Sequence, residues 1–180
     1  MKVVLDTCVI YPTVMRHMLL GACRLGHCTP VWSARILEEW ARAARKLGPL
    51  GEAQARAEIA LTRAQWPKAE HAPAPGLEQR LWLPDPADIH VLATAVSSSA
   101  DLIVTLNAKD FPRHILAEEG VNRTDPDALL HNLWINDPDG MTTHAHQVLA
   151  EANRLPDGNW TLRALMKKAR LPRLGKALAA

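Results

Sequence analysis

Val3-Val4-Leu5-Asp6-Thr7 is the stretch whose reading decides the fold. Three apolar residues, two of them β-branched, suit a short strand buried on both faces, as in a parallel sheet. A carboxylate follows at once. Leu102-Ile103-Val104-Thr105-Leu106 repeats the pattern as the clearest central strand, with Asn107 and Asp110 just beyond it. Thr29 to Trp32 reads as a further strand and Val121 to Thr124 as a last one.

The segments between these strands read as helices. Tyr11-Pro12 opens one that runs to about Gly26, with proline near its first turn. Ser33 is a good N-cap for Ala34 to Leu47, which Gly48-Pro49 stops. Gly51 to Gln65 is alanine-rich and helical, Asp85-Pro86 starts another helix, and a short one begins near Pro112. Trp66 to Gly76 carries Pro67, Pro73 and Pro75 and reads as a connection, with a weak strand at Leu77 to Leu83. Strands alternating with helices predict an α/β fold with a central parallel sheet. After the turn cluster Asp137-Pro138-Asp139-Gly140 the pattern becomes purely helical, with two helices expected at about Thr142–Leu155 and Thr161–Arg170. The expected division is therefore an α/β domain at 1–137 and a small helical extension at 138–180.

A hydrophobic content of 48% against 22% charged residues is enough to build a core and argues against disorder. The N-terminus reaches Asp6 too soon for a secretory signal, and no run of about 18 apolar residues exists. These features predict a cytoplasmic protein with no membrane association. Cys8, Cys23 and Cys28 lack a zinc-like pair spacing and read as small buried hydrophobes. The net charge of +2 is unevenly spread: from Met141 onward, seven basic residues face only Glu151 and Asp157. A basic tail beside acidic patches suits a polyanionic ligand, and equally a solvated helix face.

Four acidic patches carry the chemistry. In open α/β sheets, sites form outside the carboxyl ends of the strands, which is where Asp6, Asn107 and Asp110 fall. In the helix after Ser33, Ile36, Trp40, Ala43 and Leu47 form an inward stripe, and Glu39 lies on it. Glu38 has Arg42 and Arg45 at helical spacing, a solvated ion-pair row. Asp88 precedes Val91 and Leu92 by three and four residues and so points inward, whereas Asp85 is explained as an N-cap. His90 is read as packing at the helix side. Inward carboxylates are costly unless paired or metal-bound, and together they would form an oxygen-rich site for hard divalent cations.

Taken in order, these motifs resemble those of the PIN-domain nucleases, particularly the VapC-like bacterial toxins and relatives with a C-terminal helical extension. The matching residues are Val4-Leu5-Asp6-Thr7 with Tyr11-Pro12, then Trp32-Ser33 with Ile36-Leu37-Glu38-Glu39, then Asp85-Pro86-Ala87-Asp88-Ile89-His90-Val91-Leu92-Ala93-Thr94-Ala95. Ile103-Val104-Thr105-Leu106-Asn107-Ala108-Lys109-Asp110-Phe111-Pro112 completes them, and the likeness spans about residues 1–135. The resemblance implies a Rossmann-like α/β/α sandwich that cleaves RNA with Mg²⁺ or Mn²⁺, often as a homodimer and, as a toxin, with a cognate antitoxin. It implies that Asp6, Glu39, Asp88 and Asp110 are catalytic and, with Asn107, bind metal; relatives place Asp or Asn at both of the last two positions. Thr7 and Thr105 would orient these ligands. Arg16, Lys167, Lys168 and Arg170 are expected to contact substrate phosphates.

Two other readings compete. A haloacid-dehalogenase-type phosphatase also opens with an aspartate after its first strand, but needs a second acid where this chain has Cys8. A noncatalytic RNA- or protein-binding module would keep the fold without turnover.

Overall fold

The fold grows outward from the first strand, as a computed structural model describing residues 1–179 shows. β1 (Lys2–Leu5) lies at the centre of a five-stranded parallel sheet with β2 (Thr29–Ser33), β3 (Glu70–His71), β4 (Leu102–Val104) and β5 (Asn122–Thr124). The strand order is β3-β2-β1-β4-β5. Leu5 pairs with Val104 across one side of β1, and Val4 with Val31 across the other. Strand order reverses between β1 and β4, so a crevice opens outside their carboxyl ends, where α/β sheets hold their ligands. Val3, Val4, Leu5, Ile103 and Val104 have no exposed surface, as strands covered on both faces require.

By its contacts the chain divides into two units, each discontinuous in sequence and distinct from the linear division at 137/138. The first comprises Met1–Tyr11 and Thr29–Arg123. It holds the sheet with α1 (Thr7–Ile10), α3 (Ala34–Ala43), α4 (Gly51–Gln65), α5 (Pro75–Arg80), α6 (Ile89–Ser97) and α7 (Arg113–Glu118). α6 packs on β1, β2 and β4, while α3 packs on α1 and α4. This is the α/β/α architecture the alternating pattern predicts. The second unit comprises Pro12–Cys28 and the chain from Thr124 onward. It is helical: α2 (Thr13–Arg24), α8 (Pro126–Asn136), α9 (Pro138–Ala152), α10 (Leu162–Lys168) and α11 (Pro172–Ala177). There α2 packs on α8 and α9, and α11 on α8 and α10.

Several expected elements change. The helix expected from Tyr11 begins at Thr13, and a separate turn of helix, α1, follows Asp6 directly. The expected strand at Leu77–Leu83 is a helix to Arg80, because Pro75 sits in its first turn; Leu81 and Leu83 are buried beyond the helix. The connection from Trp66 contains β3, whose pairing is supplied by β2 rather than by its own sequence. α8 and α11 were not anticipated; Asp125 caps the first, and Pro126 and Pro172 open them. Leu47 is 68% exposed, not inward, because α3 gives way to a 3-10 turn at Ala44–Leu47. No helix among the described residues is long and apolar enough to cross a membrane.

Candidate metal centre

Asp6 terminates β1 and is 7% exposed. Its backbone N–H still donates to Val104 O of β4 at 3.2 Å, so the sheet pairing itself fixes where the carboxylate begins. Thr105 Oγ1 donates to Asp6 Oδ2 at 2.7 Å, and Cys8 Sγ donates to the same oxygen at 3.1 Å. Both bonds fall on Oδ2, and Oδ1 takes no part in them. Burial first, and the Asp6 charge second, push the Cys8 thiol up to about 12. Cys8 therefore stays protonated and serves as a donor, which is not the acid a phosphatase of the rival type would require there.

Glu39 is half-buried on α3, as its place on the Ile36–Trp40 stripe demands. Thr7 Oγ1 donates to Glu39 Oε2 at 2.8 Å, so the residue after Asp6 holds the glutamate. On the other oxygen, His90 Nε2 lies 2.9 Å from Oε1 and Arg35 Nε 3.5 Å from it. Burial works to raise the Glu39 carboxyl, but His90, Thr7 and Arg35 outweigh it and hold the group below its ordinary range. Glu38 behaves as a surface residue: it pairs with Arg42 at 3.1 Å and Arg56 at 2.9 Å, while Arg45 turns to Glu52.

Asp85, Asp88 and Asp110 bring one carboxylate oxygen each within 4.8 Å of one another. Asp85 Oδ1 accepts from Ala87 N at 2.9 Å, capping the 3-10 turn Pro86–Asp88 that leads into α6. That turn carries Asp88 into the crevice. Asn107 Nδ2 bridges the group, donating to Asp110 Oδ2 at 2.5 Å and to Asp88 Oδ2 at 3.3 Å. Thr105 Oγ1 in turn accepts from Asn107 N at 2.9 Å, which ties the turn after β4 to the Asp6 pair. Burial, then the Asp6, Asp85 and Asp110 charges, push Asp88 up to about 6. Like charges this close favour a proton on one of them unless a cation takes its place.

Placed against the sequence expectations, Asp88 and Asp110 come together, and Asp6 is near enough to raise Asp88. Glu39 is not among the three clustered carboxylates; it is held by Thr7, the residue after Asp6, and lies against His90, two residues after Asp88. Asn107 faces the carboxylates with its amide N–H, so it would ligate a cation only after turning its amide over. Two further residues stand at the site, Asp85 and His90. Asp85 had a complete local explanation as a cap, and its second oxygen carried no signal. His90 is 3% exposed beside Glu39, a contact that its position two residues after Asp88 hinted at. Arg16 is 3% exposed within α2, so it does not stand on the exposed surface. Lys167, Lys168 and Arg170 are exposed.

The donor set is oxygen-rich and anionic, which fits a hard divalent cation. Over residues 2–109 the sequence matches the family described as PIN domain. No curated protein and no solved structure matches the chain.

Proposed function

The chain belongs to the PIN-domain family, whose fold is that of nucleases, and from that premise we propose that it is a divalent-metal-dependent endoribonuclease. The supporting observation is the convergence of Asp85, Asp88 and Asp110 beside Asp6 at the sheet's switch point. Such a group of carboxylates is held together at a cost that a cation would remove.

Asp6, Asp88 and Asp110, with Asp85 as a fourth carboxylate, would hold Mg²⁺ or Mn²⁺, and Glu39 and Asn107 would complete the surroundings. A bound divalent ion supplies Lewis-acid polarisation of a phosphodiester and a water of lowered pKa. The protein's own contribution is orientation. Thr105 and Cys8 fix one oxygen of Asp6 and so aim the other; Thr7 holds Oε2 of Glu39, with His90 set against Oε1. Hydrogen bonds of this kind keep a site from reorganising during reaction.

RNA as substrate, a place among VapC-like toxins, a cognate antitoxin, a homodimer and a cytoplasmic site of action are parts of the same proposal. The 138–180 segment would then be an addition to a nuclease domain at 1–137. Purified protein incubated with total cellular RNA and Mg²⁺ or Mn²⁺ tests it, beside EDTA-treated and Asp6→Asn samples. Discrete cuts that vanish in both controls are expected. Cutting that persists in the Asp6→Asn protein sinks the catalytic assignment, and no cutting without metal binding by calorimetry leaves the noncatalytic module.

A further inference from the structure

Half of the twelve Lys and Arg residues of the sheet-bearing unit are held in ion pairs, whereas the C-terminal run of the helical unit has none among the described residues. In the sheet-bearing unit, Arg35, Arg42, Arg45, Arg56, Arg63 and Arg80 each pair with a glutamate. In the helical unit, residues 158–179 contain Arg163, Lys167, Lys168, Arg170, Arg173 and Lys176 and no Asp or Glu. All six are exposed, and among the described residues none makes an ion pair.

These charges stand on an ordered scaffold. Leu162, Leu165, Met166, Leu171 and Leu174 are buried beneath α10 and α11. Arg170 takes the left-handed conformation, φ 62°, to end α10, and Leu171 N returns to Met166 O at 2.8 Å. Buried Asp127 of α8 then accepts from Arg173 N at 2.9 Å and Leu174 N at 3.0 Å, pinning the start of α11. The two short helices approach so closely that a Cβ on Gly175 would lie 2.8 Å from Met166 Cβ.

Helix stability does not account for the pattern. Lys167, Lys168 and Lys176 lie in last turns, where the dipole favours cations. Arg163 and Arg173 lie in first turns, where it opposes them. Arg163 with Lys167, and Arg173 with Lys176, are like-charge pairs at helical spacing, each mildly destabilising. Trp160, immediately before α10, is half-buried, and its backbone is clamped on both sides by Asn153, at 2.8 Å and 3.1 Å. Cations along a surface near a tryptophan whose backbone is anchored are what a single strand needs: phosphate neutralisation and a stacking partner.

We infer that the α10–α11 hairpin, with Trp160, is a binding surface for single-stranded polynucleotide. It is separate from the carboxylate centre in its residues and its chemistry, and its ligand is RNA insofar as the ribonuclease proposal holds.

The test uses the full chain in EDTA, so that binding is read without cleavage. Fluorescence anisotropy with labelled oligouridine and oligodeoxythymidine compares wild type with Arg163→Ala/Lys167→Ala/Lys168→Ala/Lys176→Ala, its Lys→Arg counterpart at 167, 168 and 176, and Trp160→Ala. The alanine protein should bind about 10- to 100-fold more weakly, with the slope of log K against log salt reduced by about 3. The arginine protein should bind like wild type, and Trp160→Ala should weaken binding with the salt slope unchanged. Tight binding of both oligomers supports a surface blind to the sugar, and preference for oligouridine supports RNA. Unchanged affinity and slope in an alanine variant that melts like wild type overturn the inference, as does equal affinity for polyglutamate. If wild type binds in EDTA but never cleaves with metal, the nuclease proposal fails and this surface stands. If it cleaves while the alanine variant binds normally, only the surface falls.

Discussion

Thr105 Oγ1 donates to Asp6 Oδ2 across the β1–β4 pair at 2.7 Å, while accepting from Asn107 N at 2.9 Å. One hydroxyl thus joins the carboxylate after the first strand to the turn that carries Asn107 and Asp110. Thr105→Val keeps the shape and removes both bonds. It should weaken Mn²⁺ binding by about 10- to 100-fold, the usual cost of losing a group that orients a ligand. Calorimetric titration checks this, and unchanged affinity would show that the sheet pairing and Cys8 position Asp6 without Thr105.

Asp88 makes the metal-free protein less stable at neutral pH. Its folded-state carboxyl lies at about 6, above the ordinary 3.8, so the folded chain holds a proton that the unfolded chain releases. Stability from this group is complete below about 4 and is lost as pH rises through 6. Asp88→Asn removes a charge that is unfavourable above pH 6. It should raise stability at pH 7.5 by about 1 kcal/mol, a figure trimmed for solvent screening of a half-buried group, and change nothing at pH 4. Thermal melts in EDTA at the two pH values measure it, and a destabilised variant at pH 7.5 would contradict it.

The same carboxyl sets the pH range of metal binding. A cation must displace the Asp88 proton, so affinity should fall about tenfold per pH unit below 6 and level off above it. Mn²⁺ titrations between pH 5 and 8 follow this directly. A flat profile would mean that Asp88 is not a ligand.

Asp127 is the most consequential capping residue of the helical unit, because it is 6% exposed and holds two backbone N–H groups of α11. Asp127→Ala should cost about 2 kcal/mol, the upper range for a lost cap, since both donors are left without a partner. Asp127→Asn retains one acceptor oxygen and should lose less. Denaturant unfolding of the two variants ranks them.

Where local signals agreed with the fold, the sequence was legible. Val3-Val4-Leu5, Ser33 and Asp85-Pro86 each specify their structure from neighbouring residues, and Ser33 and Asp85 cap as their types predict. Asp6, Asp88 and Asp110 were visible as carboxylates at strand ends or on inward faces. β3 was invisible because two residues gain their strand character only from β2. Leu77 to Leu83 misled because Leu81 and Leu83 are buried from an extended segment that follows a helix, so strand and helix signals overlap. Asp85 shows a different limit: a carboxylate has two oxygens, and explaining one as a cap says nothing of the other.

The discontinuity of the helical unit bears on how the protein is made. α2 leaves the ribosome early, yet the helices that cover its Met15, Met18 and Leu19 begin only after Thr124. At ordinary synthesis rates that interval is on the order of 5–20 seconds. Throughout it the nascent chain displays α2 without the helices that pack on it, while β2 emerges at its start and β4 near its end to join β1 in the sheet. The helical unit therefore closes last, and α2 is the segment of the newborn chain most in need of a chaperone's cover.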